Sequence, residues 1–496
     1  MFRRSLVILI GWLLALALTV AATDLSLVNS TYFGGSRGDG GYALPIVSAP
    51  NGDVYVAFRT DSSDIPVVSA AAQATFNGRS DIVIARLSSD LSEVLSTTYL
   101  GGTGEEGLWP SIDMVVSEDA VFVAFATGSM NLPTTENALQ PSRKGGIDIG
   151  VARLSLDLSE IEACTYLGGS EDEGYVSIAL NPEGAVVIAG STLSRNFPRS
   201  EAFPGGLSGG HTAGDVFVSV LDADLSHLIT SRLLPGLSDD TSEALCVLPN
   251  GDLLLGGWTR SSNLATYEGA PEYLGGVYDG FVVRLNSSLA IEAMAYVGGS
   301  DWDFVYGMAA SDEGIAVTGH TASLDLPVAS SVVQRTYAGT GGADNGDDVF
   351  IIVLNQALDV ISATYLGGSG WENATALVAS SDGWVLAGQT NSPHFADDDT
   401  SFAPQGSNKY ATEGFLAKLN HTLTKADITH AGGAGIDCPG GLALSSDGSV
   451  FLLMGTTSDD LVTSAGALQS EHAGGSLSLE TMVWGGDLWI AKYSMP

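Results

Sequence analysis

The pentapeptide Thr98-Tyr99-Leu100-Gly101-Gly102 recurs along the chain, and its recurrence limits the available folds more than any other feature does. Relatives of it stand at Thr31-Tyr32-Phe33-Gly34-Gly35, Thr165-Tyr166-Leu167-Gly168-Gly169, Ala295-Tyr296-Val297-Gly298-Gly299 and Thr364-Tyr365-Leu366-Gly367-Gly368. Two worn copies complete the set, Leu233-Leu234-Pro235-Gly236 and Thr429-His430-Ala431-Gly432-Gly433. The first-glycine position falls at residues 34, 101, 168, 235, 298, 367 and 432. One unit of about 66 residues is therefore repeated seven times, the mark of a closed or stacked array rather than of separate domains.

Each unit alternates apolar residues and cuts them with turn residues. In the second copy, Ser111–Val116, Ala120–Phe125, Ile149–Leu154 and Ile161–Leu167 read as four strands. The turns between the first two strands are Asn51-Gly52, Glu183-Gly184, Asn250-Gly251, Glu313-Gly314, Asp382-Gly383 and Asp447-Gly448, all strong hairpin signals. Four antiparallel strands per unit and seven units predict an all-β fold, a seven-bladed β-propeller spanning residues 23–496. The last repeat stops at its third strand, Leu488–Tyr493, while Leu25–Phe33 looks like a fourth strand lacking the first three. The N-terminal strand is expected to complete the last blade and close the ring, which removes the exposed edge of an open array.

Residues 1–22 carry Arg3 and Arg4, an apolar run from Leu6 to Val20 and then Ala21-Ala22, the layout of a secretory signal peptide. Its removal takes the formal charge from −38 to −40. A surface so acidic repels nucleic acid and anionic lipid, and suits a soluble, monomeric, exported protein with no membrane insertion after cleavage. The three cysteines, Cys164, Cys246 and Cys438, fall in different repeats and imply no disulfide framework.

The unit resembles the SBBP family of bacterial and archaeal β-propeller repeats. The resemblance is carried by Tyr166-Leu167-Gly168-Gly169-Ser170, Gly190-Ser191-Thr192, Phe197-Pro198, Ala138-Leu139-Gln140, Gly145-Gly146-Ile147-Asp148 and Val151-Ala152-Arg153-Leu154, and it covers essentially the whole mature chain. Departures are local: repeats four and seven lack the Thr-Tyr pair, Leu264-Ala265 and Phe395-Ala396 lack the proline, and the connection before Asp487 is long. The resemblance implies a propeller and a secreted or cell-surface location, and no particular reaction.

Five residues beyond the first-glycine position stand Asp39, Glu106, Glu173, Asp240, Asp303, Glu372 and Asp437. A second acidic set, Asp81, Asp148, Asp215, Asp279, Asp348, Glu413 and Asp487, precedes every third strand. Strand reversal puts both sets on one face of the disc. They read either as a Ca²⁺-binding face, with the first set as candidate ligands, or as acceptors for backbone N–H groups in their own loops. Thr60, Thr127, Thr192, Thr259, Thr321, Thr390 and Thr457 end the second strands and are expected to make turn bonds.

The connections between second and third strands run to about 20–30 residues, and long ordered loops are where binding resides. Trp109, Trp258, Trp302, Trp371 and Trp484 fall on or near that face. Trp258, Trp302, Trp371 and Trp484 break the sevenfold equivalence and are the candidate ligand-binding residues; aromatic platforms beside carboxylates suit a carbohydrate or a protein. Catalytic patterns are weak. Gly206-Leu207-Ser208-Gly209-Gly210 matches a nucleophile elbow without its strand-turn-helix setting, and the seven histidines lack metal-ligand spacing. Asn29, Asn286, Asn373 and Asn420 fit the N-glycosylation pattern. The expected function is a secreted, non-enzymatic binding module for extracellular carbohydrate or protein, without a cofactor unless Ca²⁺ sits on the acidic rings. The alternatives are an extracellular hydrolase or lyase with carboxylates at the central channel, and a structural surface-layer component.

Overall fold

The protein is described by a computed structural model covering residues 25–41, 43–68, 70–109, 111–200, 214–264, 275–339, 346–395, 412–475 and 486–495. The signal-peptide expectation for residues 1–22, the elbow-like Gly206–Gly210 stretch, His211 and Trp484 lie outside the described residues. The described strands form seven four-stranded antiparallel sheets, and no helix occurs among the described residues. Six sheets take four consecutive strands each: residues 46–100, 112–167, 173–234, 240–297, 303–366 and 372–430, here blades one to six. Blade seven combines residues 437–494 with Ser26–Phe33. That N-terminal strand pairs antiparallel with Asp487–Ser494, from Ser26 opposite Ser494 to Phe33 opposite Leu488, so it supplies the missing fourth strand.

The second strands show why the chain must form a ring. Val54–Thr60, Ala120–Thr127 and Val186–Thr192 are buried at every residue, on both faces. A blade cannot cover both of its own faces, so its neighbours do. The core is accordingly a set of seams between blades: Phe33, Phe451 and Leu488 of blade seven pack with Val54, Phe58 and Val83 of blade one, and Phe122 and Val151 of blade two pack with Ile188 and Phe217 of blade three. Arg153, in the third strand of blade two, bonds Asp119 and Glu162 of its own blade and the carbonyl of Ala223 in blade three.

The hairpins joining third and fourth strands contain a device that the turn residues alone do not reveal. Leu91, Leu158, Leu225, Leu289, Leu358 and Leu423 all adopt left-handed backbone, φ 54 to 66°. Such a conformation costs a non-glycine residue about 1–2 kcal/mol. Each of these side chains is almost wholly buried in a seam, and burying a leucine is worth about 1.5–3 kcal/mol. Burial wins, so the turn keeps leucine where glycine would relax the backbone.

The tyrosine of the repeat ties the fourth strand to its blade's long connection. Tyr166 Oη donates to Ser129 O at 3.0 Å and accepts from Leu132 N at 2.8 Å; Tyr99 and Tyr365 make the same pair of bonds. Tyr32 does so for blade seven, with Ser458 O at 2.9 Å and Leu461 N at 3.0 Å. Each Tyr→Phe change leaves a buried donor and acceptor unmatched and should cost about 1–3 kcal/mol. Tyr32→Phe is expected to lower the chemical-denaturation midpoint as much as Tyr166→Phe does. A harmless Tyr32→Phe beside a costly Tyr166→Phe would mean that the N-terminal strand does not close the ring.

Candidate functional site

The two acidic sets meet, in pairs, at the junctions between blades, and both are buried rather than displayed on the disc. Each acid of the first set accepts from the threonine ending its blade's second strand, for example Thr127 Oγ1 to Glu106 at 2.9 Å and Thr321 Oγ1 to Asp303 at 2.5 Å. In most blades it also accepts from a serine two residues further on, as Ser323 to Asp303 and Ser458 to Asp437, both at 2.9 Å. The N–H of the second repeat glycine commonly completes the set, as Gly299 N does at 2.8 Å and Gly433 N at 2.8 Å.

In blade seven the threonine is Thr456, which donates to Asp437 at 2.5 Å, and not Thr457, whose hydroxyl accepts from Ile436 N. The serine was legible: Thr-x-Ser occurs at 60–62, 127–129, 192–194, 259–261, 321–323, 390–392 and 456–458. Reading Thr457 as the seventh copy hid that register.

The first repeat glycine sits between the two acids of a pair. A Cβ on Gly101 would lie 2.5 Å from Asp81 Oδ1 and 2.9 Å from Glu106 Oε2; one on Gly432 would lie 2.5 Å from Glu413 Oε2 and 3.1 Å from Asp437 Oδ2. A side chain would collide with both acids, and where Pro235 replaces this glycine it is Gly236 that approaches Asp240. Burial pushes Asp39, Glu106, Glu173 and Asp303 up to about 7 and Asp240 up to about 8, and the partner acid of each pair pushes the same way. Among the described residues no group of three or more His, Cys, Asp or Glu side chains is arranged to hold a metal ion.

The first strands of the seven blades line the central channel, which encloses a cavity of 1170 Å³. Irregularities in these strands shape its wall. The strand register shifts between Ser242 and Ala244, Val305 and Gly307, Ala374 and Ala376, and Pro439 and Gly441, leaving Glu243, Tyr306, Thr375 and Gly440 as extra residues. A bulge re-aims its side chain, and all four residues line the cavity. Each is the third residue past a first-set acid. In the frame the acids, threonines and serines repeat, whereas here Trp109, Val176, Glu243, Tyr306, Thr375 and Gly440 are all different.

Blades four to six turn this position and its neighbours into an aromatic wall. Tyr278 packs edge-on against Trp258 at 5.3 Å and against Trp302 at 5.1 Å between ring centroids. Phe304 lies 5.7 Å from Trp258, 6.1 Å from Tyr306 and 4.7 Å from His320, and His320 leads on to Trp371 at 6.5 Å. The Arg260 guanidinium caps Tyr278 at 5.2 Å. Three of the four candidate tryptophans, Trp258, Trp302 and Trp371, thus join one continuous, partly exposed surface. Trp109 stands apart, stacked on Tyr175 at 6.4 Å between blades two and three. Trp384 and Trp489 are core residues.

Two carboxyl groups line the channel and were not singled out in the sequence. Trp258 Nε1 donates to Glu243 Oε1 at 3.2 Å, and burial pushes Glu243 up to about 8. Asp113 accepts from Ile178 N in the next blade and from Met114 N, both at 2.8 Å, and burial pushes it up to about 6. His320, 3.6 Å from Asp347, is held down to about 4 by burial and stays neutral. At neutral pH this wall therefore offers ring faces, a protonated carboxyl and, from Asn373, Gln389, Asn391 and Thr412, amides and a hydroxyl.

Fold and channel together define a seven-bladed β-propeller with an aromatic wall on one side of its axis. No family model matches the chain, and no curated protein matches it. Among solved structures it is similar to Sqt1 from Chaetomium thermophilum, at 12% identity over 95% of this chain and 100% of that one with a TM-score of 0.43. It is also similar to quinohemoprotein alcohol dehydrogenase from Comamonas testosteroni, at 9% identity over 95% and 76% with a TM-score of 0.39. NanB sialidase from Streptococcus pneumoniae is similar at 8% identity over 94% and 68%, again with a TM-score of 0.39. Likenesses this distant carry no chemistry across; the propeller rests on the strand pairing itself.

Because Glu243 touches Trp258, its ionisation is expected to change indole fluorescence as the pH passes about 8. Subtracting the titration of Glu243→Gln from that of the native protein should isolate this step. Superimposable titrations would show that Glu243 does not hold its proton into the neutral range.

Proposed function

We propose that the protein is an exported, non-enzymatic β-propeller of the SBBP type that acts as a monomer at or outside the cell surface, and that it binds a carbohydrate at the aromatic wall of blades four to six. The layout of residues 1–22 and the acidic composition support export. One observation carries the binding reading: Trp258, Trp302 and Trp371, from three different blades, converge on a single partly exposed aromatic surface. Sugars present apolar C–H faces rimmed by hydroxyls, and they need ring faces with amides and carboxyls close by. Phe304, Tyr306 and Trp371 line the cavity together with Glu243, Asn373, Gln389 and Asn391. A protein segment inserted into the channel is the competing ligand within the same class.

A second reading, an extracellular hydrolase or lyase, is favoured by Glu243 alone: a channel carboxyl that keeps its proton near neutrality has the property required of a general acid. In that reading Glu243→Gln abolishes turnover of a bound glycan and spares its binding. A surface-layer role needs no channel chemistry at all.

Trp302→Ala and Trp371→Ala should each weaken binding to a glycan-array ligand by about 30-fold, the equivalent of about 2 kcal/mol for an aromatic anchor. Substitution of Asn250, in the hairpin turn between the first two strands of blade four, should leave affinity unchanged. Full affinity in both tryptophan variants, with their folds intact, would remove the aromatic wall as the site.

A further inference from the structure

We infer that the ligand of the acidic ring is the proton: the buried pair Asp81 and Glu106 holds one hydrogen between its two carboxyl groups, a bridge that links blade one to blade two. Asp81 and Glu106 show the geometry. Asp81 opens the third strand of blade one, and Glu106 leads into blade two, where it bridges to Thr127. Asp81 Oδ2 accepts from Asn77 N at 2.8 Å, and Glu106 Oε1 accepts from Thr127 Oγ1 at 2.9 Å. The remaining oxygens, Asp81 Oδ1 and Glu106 Oε2, are fully buried with no donor in good hydrogen-bond geometry, and a Cβ added to Gly101 would lie 2.5 Å from the first and 2.9 Å from the second.

Among the described residues no cation neutralises this pair. On the adjoining elements Arg79 is paired with Glu105 at 3.0 Å, Arg59 with Asp61 at 3.7 Å, and Arg143 is bonded to Gly128 O. The tyrosines Tyr99 and Tyr166 are engaged with Ser62 O and Ser129 O. Asp81 and Glu106 are hydrogen-bonded side chain to side chain, and two carboxyl groups can be so joined only when one acid keeps its proton and donates it to the other. The same placement of two acids against one glycine recurs at Gly34 with Asp487 and Asp39, at Gly168 with Asp148 and Glu173, and at Gly432 with Glu413 and Asp437. The unpartnered Asp487 Oδ1 repeats the motif at the closure of the ring.

A divalent cation is the rival occupant, since two carboxylates without a proton would attract one. The surroundings argue against it: the groups on this pair, such as Asn77 N–H and Thr127 O–H, are donors whose hydrogens repel a metal ion.

The stability consequence has a definite sign. Asp39, Glu106, Glu173, Asp303 and Asp240 are pushed up to about 7 or 8 in the folded protein, above the ordinary range of an unfolded carboxyl. Their contribution is complete below the unfolded value and is lost as the pH rises through the folded one. The melting temperature of the full chain should therefore fall steadily from pH 6 to pH 9, while infrared spectra at pH 6 show the C=O stretch of protonated carboxyls in the folded state.

Asp81→Asn and Glu106→Gln put an amide N–H in place of the shared proton, and each should raise the melting temperature at pH 9 relative to the native protein while leaving it unchanged at pH 5. Asp148→Asn is the contrast. Both Asp148 oxygens already accept from N–H groups, those of Lys144, Gly145 and Gln140, so the amide is expected to destabilise at every pH. A melting temperature independent of pH between 6 and 9, with no protonated-carboxyl band at pH 6, would overturn the inference. So would a selective rise with Ca²⁺ over Mg²⁺ at matched ionic strength accompanied by proton release, which would make the ring a calcium site instead.

Discussion

Everything in this ring depends on a carboxyl group taken out of water where one blade hands the chain to the next. An ionised carboxylate is costly to bury alone, and here the first-set acid receives the threonine that ends the second strand, usually the serine two residues later, and the N–H of the second repeat glycine. Those donors belong to the connection into the blade and to the end of its second strand, so satisfying the acid fixes where each blade begins. The partner acid arrives from the preceding blade. At a separation of about 4 Å two ionised carboxylates would repel by about 4 kcal/mol at an effective dielectric constant of about 20, and seven such penalties exceed the whole stability of an ordinary domain. Burial and the neighbouring acid both push these carboxyls toward the protonated form, which relieves that repulsion.

That constraint explains which parts of the repeat tolerate wear. The first glycine is excluded from change by the two acids on either side of it, and the single replacement, Pro235, stands where Gly236 takes over the contact with Asp240. The tyrosine is less strict. Leu233 and His430 stand in its place in blades three and six, and those blades do without the bond that Tyr99 or Tyr166 supplies. A lost clamp costs one hydrogen-bonded pair, whereas a side chain forced between two acids would separate the blades.

The architecture was legible because it is written seven times: the period, the Asn-Gly and Asp-Gly hairpins and the unmatched N-terminal strand each state the same topology. Less was legible where geometry departs from the sequence period. Bulges at Glu243 and Thr375 insert one residue into a strand without an adjacent glycine or proline to announce it, so the channel wall could not be read from alternation. The left-handed leucines escaped for a similar reason, since propensity disfavours leucine there and only burial in the assembled seam reverses the preference. Thr456 and Thr457 are adjacent in the sequence, and only the bond to Asp437 shows which of them belongs to the repeat. The tryptophans were recognised as exceptions to the repeat, but their convergence on Tyr278 and Phe304 is a property of neighbouring blades and not of any one segment.

Frame and site thus use the same first strands in opposite ways. At the acid the seven copies are held equal by a buried pair that accepts no substitute; three residues later the bulge releases the side chain into the channel, where nothing requires equality. Blade seven places Gly440 there, beside Leu44 and Ile46 of blade one, and blades four and five place Glu243 and Tyr306 there, beside the rings around Phe304. The chemistry of that wall is set against the rest of the molecule. A formal charge of −38 surrounds the channel with negative potential, yet burial beside Trp258 keeps Glu243 protonated and burial keeps His320 neutral. Long-range field and local contact therefore act on different properties of a ligand: the field slows the approach of anions in a salt-dependent way, while the wall discriminates by shape, ring stacking and uncharged hydrogen bonds. A neutral glycan is the ligand for which these two filters do not conflict.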